Sequence, residues 1–205
     1  MKLLTILLLL TCFGARAQTG SSLSVYSMYP VGGFFHGPLL VGGSHDPFVT
    51  HSVMAGADYG YGITPWLSLH GGLEWSQFKI YDINYSDVPG YSVNTTQMGY
   101  LDLISIPLTL KVLFLKYVYF QGGLLWDNEV HNHLYTDDSG HDGPETPQSG
   151  LGATGTLGAA YTLPRHLTIS AGFCMEFHGV HLAQTNPVDY RLTAYGLRLS
   201  LSHPL

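Results

Sequence analysis

The chain of 205 residues carries 8 basic against 14 acidic side chains and a formal net charge of -6, which excludes the basic footprint of a nucleic-acid binder. Hydrophobic residues make up 45% of it and charged residues only 11%, yet beyond the N-terminus no run approaches the roughly 18 uninterrupted apolar residues of a membrane helix. Its 2 cysteines exclude a disulfide-stapled scaffold.

Met1 to Ala17 has the layout of a cleavable secretory signal: Lys2, an apolar run from Leu3 to Leu10, and the small-x-small ending Ala15-Arg16-Ala17. A lipoprotein-type cut before Cys12 fits less well, because Thr11 is a poor residue for it. The expected division is therefore a signal over 1–17 and one domain over 18–205. Loss of Lys2 and Arg16 leaves 6 basic against 14 acidic residues, a net charge of -8, with Cys174 as the remaining thiol.

The domain reads as strands of period two, since side chains on a strand alternate faces. The first covers about Ser22 to Val31, with Leu23, Val25 and Tyr29 on one face, and a glycine-rich loop follows. The second, Thr50 to Gly62, alternates Val53, Ala55, Ala57, Tyr59 and Tyr61 with Gly56, Asp58 and Gly60. After a tight turn at Thr64-Pro65 the third runs from Trp66 to Asp82, with Leu67, Leu69, Leu73 and Trp75 opposite His70, Glu74 and Ser76. Its parity is read as changing at a bulge near Phe78 and Ile80. A polar loop from Ile83 to Met98 leads into a hairpin over Tyr100 to Trp126, turning at Leu113 to Leu115. In its first arm Ile104, Ile106, Leu108, Leu110 and Val112 oppose Ser105, Thr109 and Lys111; in its second, Phe120, Leu124 and Trp126 oppose Tyr119 and Gln121. Asp127 to Gly150 reads as the longest polar loop. Strand six (Leu151 to Thr162), a turn at Pro164-Arg165, strand seven (His166 to Gly179) and, after Asn186-Pro187, strand eight (Tyr190 to Ser202) complete the set.

Arms this long, apolar on one face and polar on the other, suit bilayer-crossing strands of about 9 to 11 residues. Short turns after strands two, four and six alternate with long polar loops after the odd strands, which is the pattern of short periplasmic turns and longer outer loops. The expected fold is all-β, an eight-stranded antiparallel up-and-down transmembrane β-barrel in the bacterial outer membrane. The lipid bilayer is then its principal partner, and Trp66, Tyr100, Trp126 and Tyr161 form interfacial aromatic girdles.

The segment Tyr100-Leu-Asp-Leu-Ile-Ser-Ile-Pro-Leu-Thr-Leu-Lys111, followed by Tyr117-Val-Tyr-Phe-Gln-Gly-Gly123, resembles the isoleucine-proline, leucine-rich, lysine pattern of the PorT-like outer-membrane β-barrel family. The resemblance implies location and fold more than activity. It also implies that Pro107 lies inside a central strand, a position that a local bulge could accommodate.

Inward parity gathers Asp58, His70, Glu74, Lys111, Glu176, His178 and Arg198. Eight strands enclose a space that side chains nearly fill, so these charges are expected to form a structural network of ion pairs and hydrogen bonds. Glu176 and His178 are read as lying near the outer rim. Ser68 and His70 share a strand face near a periplasmic turn, far from Glu176, so no serine-histidine-acid triad, no enzymatic activity and no cofactor are expected. His131 and His133, placed in the third outer loop, are the candidate ligands for a divalent transition ion. The expected function is a structural, adhesion or envelope-assembly and secretion-accessory role, with an extracellular or envelope protein partner reached through the loops. The alternatives are a narrow gated pore, a lipid A-modifying enzyme and a soluble, lipocalin-like ligand-binding barrel.

Overall fold

The computed structural model describes residues 20–36, 48–84, 94–134, 149–164, 166–180 and 191–205. The expected signal and most of the long polar connections lie outside them. Among the described residues the strands are β1 (Ser21–His36), β2 (Phe48–Thr64), β3 (Leu67–Asn84), β4 (Asn94–Leu113), β5 (Val118–Leu134), β6 (Gly150–Thr162), β7 (Thr168–Val180) and β8 (Arg191–Pro204). Each pairs antiparallel with its sequence neighbours, and β1 pairs with β8 to close the barrel, from Ser22 opposite Pro204 to His36 opposite Arg191. Closure leaves no strand edge, so the peptide groups find partners within the sheet where a bilayer offers none.

Three short connections lie at one end, between β2 and β3, β4 and β5, and β6 and β7. There the Leu113 amide donates to the Trp66 carbonyl at 2.8 Å, Ala160 to Tyr117 at 2.7 Å and Leu163 to Leu167 at 2.7 Å, while Leu205 donates to Ser21 at 2.9 Å beside the chain ends. His166 takes a left-handed backbone with φ of 65° to complete the β6–β7 turn.

Alternation holds as the sequence predicts. Leu23, Val25, Leu73, Ile106, Leu108, Leu124, Phe173, Leu197 and Leu199 are exposed on the outer wall, while the serines, threonines and charged groups between them are buried. That polarity is the inverse of a lipocalin-like cup and rules out the soluble ligand-binding alternative.

Three local expectations are corrected. β3 keeps one parity through Ile80, and Phe78 and Ile80 are buried inside the barrel; the register shift on its β4 side falls later, between Ile80 and Tyr81. Apolar residues at inward positions imitate a parity change. Pro107 needs no bulge: Leu108 opposite Gly71 and Ser105 opposite Glu74 preserve one register across it, and Pro107 stands opposite Leu125 on β5. Strands also run past the apolar band, β4 beginning at Asn94 and β5 ending at Leu134. Outside the bilayer both faces of a strand can be polar, so the ladder continues where the hydrophobic alternation has stopped.

The inner core has two layers. Hydroxyl and charged side chains fill the half nearest the short turns. Towards the other end Met54, Phe78, Ile80, Leu101, Leu103 and Leu192 pack into an apolar cluster. Arginine in place of Leu108, at the middle of the outward apolar run, is expected to destabilise the barrel by about 2–4 kcal/mol, measured by urea unfolding in phospholipid vesicles. The same change at Lys116, in an exposed turn, should leave the midpoint unmoved.

Candidate functional site

Among the described residues, the lumen gathers chemistry-bearing side chains at fixed geometry. Glycines make room for them. A Cβ on Gly56 would collide with the ring of Tyr26, and one on Gly60 would lie 2.7 Å from both His70 Cε1 and Ser22 Oγ.

Nearest the short turns, Ser68 Oγ is 2.9 Å from His70 Nε2, and His70 Nδ1 is 2.8 Å from Asp58 Oδ1. The other Asp58 oxygen faces Arg198 Nη2 at 3.7 Å. The Arg198 guanidinium lies 3.5 Å over the centre of the Tyr26 ring, and the Tyr26 hydroxyl donates to Glu74 Oε2 at 3.0 Å. A cation over the face of a ring meets its negative quadrupole, so Tyr26 serves both neighbours: its face attracts Arg198 and its hydroxyl solvates Glu74.

A second group lies deeper. Ser105 donates to Asp127 Oδ1 at 2.6 Å, His178 Nδ1 is 3.2 Å from Asp127 Oδ2, and His178 Nε2 is 3.5 Å from Glu176 Oε2. Thr154 donates to Glu176 Oε1 at 3.1 Å. Phe78 packs edge-on against the His178 ring at 5.3 Å between centres, joining this group to the apolar cluster.

All seven residues assigned to the lumen face inward. Six of them, Asp58, His70, Glu74, Glu176, His178 and Arg198, belong to these two groups, while Lys111 stands beside them with its ammonium 4.4 Å from the centre of the Tyr119 ring. Glu176 and His178 are not at a rim: both are enclosed between the polar layer and Phe78. The acid that meets the Ser68–His70 pair is Asp58 on the adjacent strand, and the distant Glu176 has no part in it. Asp127 and Tyr26 are lumen residues that the sequence reading does not name, whereas Ser105 lies on the polar face expected of it. Asp127 continues the inward parity of Tyr119 and Gln121, and that parity is the signal that reveals it.

Trp66, Tyr100, Trp126 and Tyr161 are exposed on the outer wall, as a girdle requires. Tyr59, Tyr61 and Tyr117 extend it at the short-turn end, where Tyr117 stacks on Tyr161 at 5.9 Å. The histidine placement is corrected. His131 and His133 lie in β5, not in a loop, opposite Asp102 and Tyr100. A register shift at Val130 moves His131 to the outer face. Among the described residues no group of three or more histidine, cysteine, aspartate or glutamate side chains is placed to hold a metal ion.

Arg198 compensates several carboxylates at once. Replacing it with methionine should destabilise the folded barrel by about 3–5 kcal/mol, because buried carboxylates lose their cation. Urea titration read by gel mobility checks this, and adding Asp58→Asn to the same chain should recover part of the loss.

No curated protein matches the chain. Among solved structures it is similar to the outer membrane protein OprG from Pseudomonas aeruginosa, at 11% identity over 91% of this chain and 98% of that one, with a TM-score of 0.49. It is also similar to the translocator domain of autotransporter NalP from Neisseria meningitidis, at 10% identity over 100% of this chain and 95% of that one, with a TM-score of 0.34. The family model of the outer membrane protein beta-barrel domain matches residues 5–201.

Proposed function

The chain belongs to the outer membrane protein beta-barrel domain family and resides in the bacterial outer membrane; we propose that it is a sealed barrel serving an envelope-assembly, secretion-accessory or adhesion role through its long connections. The observation that carries this reading is the filled lumen. The Asp58–Arg198–Tyr26–Glu74 chain occupies one half, and the Phe78, Ile80, Leu101, Leu103 and Leu192 cluster closes the other. A conducting path needs a continuous polar or wettable bore, and the apolar layer supplies neither. Contact with a protein partner then falls to the polar connections.

Purified protein in planar bilayers should show no discrete conductance steps; stable steps in a narrow size class would establish the pore reading instead. In cells, exchanging residues 135–148 for a glycine-serine linker of equal length should leave the barrel heat-modifiable in the outer membrane. The exchanged protein should nevertheless fail to rescue the detergent sensitivity of a deletion strain. Full rescue would remove the loop from the account.

A further inference from the structure

We propose that Ser68, His70 and Asp58 form a nucleophilic site that hydrolyses small carboxylic esters at the periplasmic mouth of the barrel, an activity beyond the envelope role proposed above. Ser68 and His70 lie two apart on the inward face of β3, and Asp58 lies on the inward face of β2, where Gly60 stands opposite His70. Because Gly60 has no side chain, the imidazole can lie across the strand pair and meet the serine with one nitrogen and the carboxylate with the other.

The hydrogen-bond chemistry sets the direction of the chain. The Asp58 carboxylate only accepts, so His70 Nδ1 carries the proton of the 2.8 Å contact. Nε2 is then left with a lone pair, and the 2.9 Å contact is a hydroxyl of Ser68 donating to it. That is the arrangement of a serine with its general base and an orienting acid. Arg198 balances the second oxygen of Asp58, which holds the carboxylate in place.

An oxyanion needs donors, and the backbone amides here are committed to the ladder. The donor must therefore be a side chain. Lys111 stands directly opposite Ser68 on β4, and residues so paired have Cβ atoms about 4.5–5.5 Å apart. Its ammonium rests 4.4 Å from the centre of the Tyr119 ring on β5, and the flexible four-carbon stem lets it swing to the serine as charge develops there. Access follows from burial: Ser68 is only partly buried, whereas Asp58 and His70 are enclosed. The rim bears hydroxyls such as Ser22 and Ser202, and Arg198 with Tyr26 closes the lumen above. A lumen closed above by Arg198 and Tyr26 leaves depth for a short acyl group and none for a long one.

In the reaction Ser68 Oγ bonds to the ester carbon while His70 Nε2 takes the hydroxyl proton. The carbon–oxygen bond to the alcohol breaks, and His70 returns the proton to the departing oxygen. Water then attacks the acyl-serine, giving a proton to His70 that passes to Ser68 as the acid leaves. Ester and water become acid and alcohol without oxidation or reduction.

The test uses the full barrel folded in detergent, its fold verified by heat-dependent gel mobility. A fluorophosphonate probe should modify the folded wild type on Ser68, located by peptide mass, and p-nitrophenyl acetate should be hydrolysed faster than p-nitrophenyl palmitate. Ser68→Ala should abolish both labelling and hydrolysis. Asp58→Asn should lower kcat by about 10³- to 10⁴-fold, and Lys111→Met should lower kcat more than it changes KM. An unlabelled wild type, labelling that survives Ser68→Ala, or a preference for the palmitate would overturn the proposal.

Discussion

The pairing of β1 with β8 is the constraint on which the structure depends. In hydrocarbon an unpaired peptide group costs several kcal/mol, so a sheet with two open edges could not stay in the bilayer. Closing the ring has a second consequence. It makes an inside with a fixed cross-section, and each strand must supply side chains that fill it without steric conflict. Gly56 under Tyr26 and Gly60 beside His70 are answers to that demand, one leaving space for an aromatic ring and the other for an imidazole.

Enclosure also decides the electrostatics. Asp58, Glu74, Asp127 and Glu176 are buried, and a carboxylate removed from water must find donors or cations. Arg198 meets Asp58 and lies over Tyr26, which donates to Glu74; His178 stands between Asp127 and Glu176. The result divides the lumen by depth. A polar half near the short turns contains the partly buried Ser68, and an apolar cluster fills the half towards the other end. The proposed sealed interior and the proposed hydrolytic site are compatible because they occupy different depths.

Much of this was legible in the sequence because the two faces obey different rules. Lipid selects for hydrophobic side chains only at alternate positions, as Ile106, Leu108 and Leu110 show, so parity alone assigns Asp58, His70 and Arg198 to the lumen. Parity does not reveal who touches whom. The Asp58–His70 contact depends on the offset between β2 and β3, which the turn at Pro65-Trp66 sets, and no feature of one strand read alone contains that offset. Phe78 and Ile80 misled because apolar residues are also the means of closing a lumen. Asp127, His131 and His133 carry no strand signal because the apolar alternation ends at Trp126 while the β5 ladder runs on to Leu134.

The central claim, a barrel whose interior is closed to solvent at mid-depth, is tested most directly by Cys174. It is a free thiol buried in the lumen, with Sγ 3.6 Å from Glu176 Oε1 and 3.7 Å from Thr154 Oγ1. Methanethiosulfonate reagents, charged and neutral, applied to the folded protein in sealed vesicles should leave Cys174 unmodified until the barrel is unfolded by boiling in detergent. Rapid modification of the folded protein by the charged reagent would show a water-filled path to that depth and contradict the sealed lumen.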